Sequence, residues 1–142
     1  MGKILYMAYG SNLSVEQMRF RCPDARVIGK AYLKDWKLVF RFHADIEPCK
    51  GYRVPVLIWE ISTQDEKRLD RYEGYPLYYI KKDLNAVMQD TGKSVKAMVY
   101  VMATMKRQEP PASHYYHVIE GGYKAFGFDI NVLEKAASEA FK

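Results

Sequence analysis

The residues best suited to chemistry lie in the segment Asp70-Arg71-Tyr72-Glu73-Gly74-Tyr75-Pro76. A glutamate at a predicted helix end, set among aromatic side chains, is poorly solvated. Poor solvation raises a carboxyl pKa toward neutrality, where the group can both take and return a proton. A second segment, Gly10-Ser11-Asn12, follows directly on the apolar run Ile4 to Tyr9. A turn of this kind can present several backbone N–H groups together, which suits a bound carboxylate or a developing oxyanion. An acid or base facing an anion-binding loop points to an enzyme. The bland alternatives are a solvated glutamate at a helix end and an ordinary strand-to-helix connection.

Other groupings carry less chemistry. His114, His117 and Glu120 are three residues apart on a predicted helix, but the first and last point about 120° apart, and no HExxH pattern is present. Cys22 and Cys49 form no CxxC pair and read as reduced thiols. His43 precedes Cys49 without a nucleophile elbow or an orienting acid. Gly121-Gly122 lacks the preceding strand of a phosphate loop and reads as a helix end. With neither a ligand cluster nor a phosphate loop, no metal and no organic cofactor is expected. The tyrosines Tyr72, Tyr75, Tyr78, Tyr79, Tyr100, Tyr115 and Tyr116 are ordinary core material one by one. Gathered near Glu73, they could wall a polar pocket and offer hydroxyl donors.

The elements that must position these residues are one domain's worth. The chain has 142 residues, 49% of them hydrophobic, enough to bury a core without disulfides. We read residues 1–142 as a single domain with no linker or repeat. No apolar run approaches the ~20 residues of a membrane span, and no cleavable apolar leader is recognisable, so a cytoplasmic location is expected. The formal charge of +5 is spread along the chain and interleaved with acids, as in Gln64-Asp65-Glu66-Lys67-Arg68. That pattern argues against nucleic acid and suits a small anionic substrate. The oligomeric state is not legible.

Ile4 to Tyr9, Val27 to Leu33, Trp36 to Phe42 and Val54 to Ile61 read as strands, and Ser14 with Gln17 as a capping box for a short helix ending before Pro23. Ser62 and Thr63, with Asp65 and Glu66, start a helix that Gly74 and Pro76 stop after about Tyr72. Tyr78 to Met88 and Ser94 to Met105 form a hairpin around Asp90-Thr91-Gly92. Ser113 caps a helix through about Gly121, and Asp129 caps a last helix ending near Phe141. Strands and helices mix without βαβ alternation, so the fold class is α+β with a largely antiparallel or mixed sheet.

Three motifs occur in order over essentially the whole chain: Tyr9-Gly10-Ser11-Asn12-Leu13 after a strand, Leu69-Asp70-x-Tyr72-Glu73-Gly74-Tyr75-Pro76-x-Tyr78 in mid-chain, and Pro111-x3-Tyr115 with Gly122 beyond. Together they resemble the γ-glutamylcyclotransferase-like family. The resemblance implies a small mixed β-barrel flanked by helices, no cofactor, and a cavity where the loop meets Glu73. It implies a γ-glutamyl amide or peptide as the small-molecule substrate: the free α-amine attacks the γ-carbonyl, 5-oxoproline closes, and the amine or amino acid departs. Glu73 would be the catalytic base and acid, with Tyr9, Gly10, Ser11, Asn12, Leu13, Tyr79, Tyr100 and Tyr115 binding substrate. The segment Pro110-Pro111-Ala112-Ser113-His114-Tyr115 departs from the family's Pro-Ser-x-x-Tyr by displacing the serine, so no role passes to Ser113. A ligand-binding member without turnover, and a hydrolase that releases open-chain glutamate, are the competing readings.

Overall fold

The computed structural model describes residues 3–142, so the first two residues of the expected 1–142 domain lie outside it. The described chain runs β1 (Ile4–Ala8), a single 3-10 turn (Ser11–Leu13), α1 (Val15–Arg21), β2 (Arg26–Arg41), β3 (His43–Ile61), α2 (Thr63–Tyr72), β4 (Tyr79–Met88), β5 (Ser94–Met102), α3 (Ser113–Phe126) and α4 (Ile130–Ala140). The five strands close into a barrel in the order β1-β3-β2-β4-β5. All pairs are antiparallel except β1 with β5, which meet in parallel at Tyr6 and Met98 and seal the cylinder. The expected small mixed barrel flanked by helices is what forms. Among the described residues no helix is long and apolar enough to cross a membrane.

Closure creates one interior, with the β2–β3 hairpin extending beyond it. Met7, Leu33, Val54, Val56, Leu57, Ile58, Ile61 and Val99 of the strands are buried on the sheet's two faces and form one core with Leu69 of α2 and with Ile119 and Tyr123 of α3. Ser62 caps α2 by accepting from the Asp65 N–H, and the Asp65 carboxylate accepts the Ser62 N–H in return, so this predicted capping box is formed. Asp129 caps α4 as predicted, accepting from the Asn131 N–H.

Several boundaries differ for identifiable reasons. Val27–Leu33 and Trp36–Phe42 belong to one strand, because pairing to β3 continues on both sides of Asp35, at φ 65°, while the extra residues of the irregularity, Cys49 to Tyr52, lie on β3. The strand ends at Arg41, since Phe42 adopts φ 71° in the tight turn to His43. β3 begins eleven residues before the predicted Val54. Its first half is largely one side of a hairpin open to solvent, so its polar residues, Pro48 and Gly51 hid the strand. Ser113 is the first helical residue of α3, behind Ala112, and caps nothing. The helix continues through Gly121-Gly122 to Phe126 instead of stopping there. The reason is tertiary: a Cβ on Gly122 would lie 2.5 Å from the Leu13 Cβ, so glycine is what lets α3 lie directly on the 3-10 turn.

Candidate active site

The chain leaves β1 at Ala8 and enters the 3-10 turn through Tyr9 and Gly10, which places Gly10, Ser11 and Asn12 at one end of the barrel. The turn is held from inside. Leu13 N–H donates to the Gly10 carbonyl at 3.0 Å, Trp59 Nε1 donates to the Asn12 carbonyl at 3.2 Å, and Asn12 Nδ2 donates to Tyr6 Oη at 2.9 Å. The N–H groups of Ser11 and Asn12, at the start of the turn, have no intrahelical acceptor.

Glu73 enters from the other side. It is the residue that ends α2, its N–H still bonded to Leu69 O at 2.8 Å, and Gly74 turns the chain at φ 66°. The Gly74–Tyr78 turn, closed by Tyr78 N–H to Gly74 O at 2.8 Å, then delivers Tyr78 and Tyr79 at the start of β4. Loop and carboxyl line one cavity of about 280 Å³. Tyr6, Tyr9, Tyr79, Tyr100 and Tyr115 also face it, with His43 and Ala44 from the β2–β3 turn.

The cavity explains the chemistry of the carboxyl. Burial pushes the Glu73 pKa from 4.5 up to about 7, opposed only by the positive charge of Arg21. Among the described residues no side chain donates a hydrogen bond to this carboxyl, so the charge of Arg21 alone offsets its desolvation. The residue as a whole is half-buried because one side opens to the cavity. The expected contribution of Tyr75 is corrected: it is exposed, at 39%, and does not line the cavity, while Tyr72, 46% exposed, lines it only from the rim. Beside the nearby Tyr78 and Tyr79, the enclosing phenols come from β1, the residue after it, β5 and α3, elements distant in sequence.

Most of these phenols are braced. Tyr9 Oη donates to Tyr100 O at 2.7 Å, Tyr79 Oη to Ala44 O at 2.6 Å, and Tyr100 Oη to Asp70 Oδ1 at 2.6 Å. Tyr115 Oη instead accepts from the Ala44 N–H at 3.0 Å, and Tyr6 Oη accepts from Asn12, so the hydroxyl protons of these two remain for a ligand. Burial raises the pKa of both phenols, which keeps them protonated donors. His43 Nδ1 lies 2.9 Å from Tyr78 Oη, and burial, with nearby Lys106, lowers its pKa.

Of the residues expected to bind substrate, Tyr9, Gly10, Ser11, Asn12, Tyr79, Tyr100 and Tyr115 line the cavity with Glu73. Leu13 does not. Its side chain is wholly buried beneath the turn against Gly122, so it shapes the loop from below. Tyr78, expected near Glu73, lines the cavity as well, and Tyr6, Met7, His43 and Arg71 do so without any sequence signal for it. Tyr6 sits inside a run that reads simply as an apolar strand, and His43 drew attention only as a partner for Cys49. Neither cysteine faces the cavity, and burial raises the Cys22 thiol to about 12, far from a thiolate. Ser113 is exposed and outside the cavity, and His117 Nδ1 contacts Glu120 Oε1 at 3.1 Å.

A closed barrel thus sets a buried glutamate and the Gly10–Asn12 loop in one cavity. The chain belongs to the γ-glutamyl cyclotransferase, AIG2-like family, whose pattern matches residues 6–123. It is 31% identical to the human γ-glutamylcyclotransferase over 92% of this chain and 76% of that protein, and 31% identical to the mouse one with the same coverage. A solved γ-glutamyl cyclotransferase superposes with a TM-score of 0.82 at 28% identity, covering 94% of this chain and 86% of the other.

Proposed function

We propose that the protein converts a γ-glutamyl amide or peptide into 5-oxoproline and a free amine or amino acid, with Glu73 carrying the proton. The observation that supports this most directly is an unpaired carboxyl with a pKa of about 7 in the same cavity as the Gly10–Asn12 loop. Family membership and the named relatives support the reaction type.

The substrate supplies its own nucleophile, so the protein needs none. Held curled in the cavity, the donor brings its α-nitrogen within reach of its γ-carbonyl, and this enforced proximity replaces a bimolecular encounter. Glu73, ionised, takes a proton from the α-ammonium. The freed amine attacks the γ-carbonyl, the charge on the γ-oxygen develops opposite the Ser11 and Asn12 amides, and as the new N–C bond closes the lactam its nitrogen sheds a second proton while the old C–N bond breaks and Glu73 hands protons to the departing nitrogen. Two protons pass from the α-ammonium to the amine, which leaves as an ammonium, and neither water nor an electron acceptor is consumed. A pKa near 7 lets one carboxyl serve both as base and as acid at neutral pH. Tyr6 and Tyr115, with free hydroxyl protons, are suited to hold the substrate's carboxylate or carbonyl.

Matched donors test the reaction. γ-Glutamyl-alanine should yield 5-oxoproline by mass spectrometry, while its Nα-acetyl derivative, which lacks the nucleophile, should be inert. Open-chain glutamate from either donor would assign a hydrolase, and binding without any product would assign a non-catalytic ligand-binding protein. Turnover of the blocked donor at a comparable rate would remove the cyclisation mechanism.

A further inference from the structure

Arg21, the last residue of α1, joins the two halves of the site without lining the cavity. One edge of its guanidinium faces the loop: Nη1 donates to Asn12 Oδ1 and lies 3.5 Å from Ser11 Oγ. Its face lies 3.5 Å from the centre of the Tyr72 ring, and Tyr72 Oη is 3.3 Å from the same Ser11 Oγ. Tyr72 immediately precedes Glu73. Asn12, gripped by Arg21 at its oxygen, passes the restraint to Tyr6 in the cavity wall through its amide nitrogen. Among the described residues Arg21 has no carboxylate within salt-bridge distance, which is unusual for a half-buried guanidinium.

We propose that Arg21 is a positioning residue for the cyclisation, whose guanidinium edge fixes Ser11 and Asn12 while its face fixes Tyr72, so that the loop amides and Glu73 are held in one geometry. The inference rests on the acid–base role given to Glu73 above. It uses both properties that distinguish arginine from lysine: a planar fork that bonds along its edge, and a flat face that stacks on an aromatic ring. The uncancelled charge has a second effect. Glu73 shares its cavity with Tyr6 from β1, Tyr9, Tyr78, Tyr79 from β4, Tyr100 from β5 and Tyr115 from α3, phenols that burial keeps neutral at working pH, and with His43 of β3, whose pKa burial and Lys106 lower. Arg71 and Tyr72 flank it in the cavity wall. Of these surroundings it is Arg21 that draws the carboxyl pKa down and offsets part of the burial.

Arg21→Gln and Arg21→Lys separate positioning from a structural contact. Both variants and the wild type would be assayed with γ-glutamyl-alanine for kcat and KM across pH, beside a melting curve for each. Arg21→Gln should lose roughly ten-fold or more in kcat, as expected when reacting groups are misplaced by a fraction of an ångström to an ångström. The acid limb of its kcat/KM profile should move to higher pH by roughly half a pH unit or more, because a positive charge near the carboxyl is gone. Arg21→Lys should keep the wild-type acid limb and still show a reduced kcat, since it retains charge and loses the fork. An Arg21→Gln enzyme with wild-type kcat and acid limb would overturn the proposal, as would a rate loss that only tracks a lowered melting temperature with the limb unmoved. If Arg21→Gln does not fold, Arg21→Lys decides, and wild-type kcat there overturns it. Absence of 5-oxoproline from the wild type would instead reject the proposed function.

Discussion

Replacing Glu73 by glutamine keeps the size and hydrogen-bonding capacity of the side chain and removes the exchangeable proton, so it tests catalysis and burial together. Burial raises the carboxyl pKa from 4.5 to about 7. At ~1.4 kcal/mol per pKa unit, the ionised carboxyl costs the fold up to about 3 kcal/mol, and less where the open side of the cavity is hydrated. The folded state binds this proton more tightly than the unfolded chain. Its contribution to stability is therefore fully present below about pH 4.5 and is lost as pH rises to about 7. Above that pH, Glu73→Gln should be more stable than the wild type by roughly 1–3 kcal/mol, a rise of several degrees in Tm, and near pH 4 the two should coincide. Over the same range 5-oxoproline formation should fall at least ~10²-fold, and toward ~10⁴-fold if one group makes both proton transfers. Asp70→Asn is the control: Asp70 accepts from Tyr100 and pairs with Lys81 at 3.0 Å. Its loss should lower stability by about 1–2 kcal/mol and leave the rate within a few-fold. The measurements are product formation and urea unfolding at acid and alkaline pH for each protein. Retention by Glu73→Gln of more than about a tenth of the wild-type rate would refute the assignment of the catalyst. A variant less stable than wild type at alkaline pH would refute the account of a carboxyl desolvated without a partner.

Two further perturbations address the loop. A Cβ at Gly10 would sit 3.4 Å from Ala44 Cβ and 3.5 Å from Tyr115 Oη, ordinary contacts, so Gly10→Ala should be tolerated. The branched methyls of Gly10→Val should crowd the cavity and cut kcat/KM at least ~10-fold without unfolding the protein, and a wild-type rate would make the loop a mere turn. Gly122→Ala forces a methyl against Leu13 and should cost about 1–3 kcal/mol by thermal or urea unfolding, despite alanine's better helix propensity. Unchanged or increased stability would show that the turn yields to α3 freely.

Local signals located the parts of this protein. The capping box of α2, the hairpin turn at Gly92, the cap at Asp129, the strand at Ile4 and the glutamate before a left-handed glycine all depend on neighbours within a few residues, so they could be read along the chain. What could not be read this way was the environment. The aromatics adjacent to Glu73 in sequence, Tyr72 and Tyr75, are exposed, and burial is supplied by Tyr6, Tyr9, Tyr79, Tyr100 and Tyr115, which closure of the barrel brings together. Leu13 belongs to the motif but points away from the cavity, and Gly121-Gly122 looks like a helix end until α3 is seen to rest on the turn. Arg21 carries no motif at all. The sequence by itself determined which groups could exchange a proton or bind an anion, because that follows from residue type and local turn chemistry. The tertiary structure alone decided which of them share a low-dielectric cavity, because desolvation and charge proximity are set by chain segments dozens of residues apart.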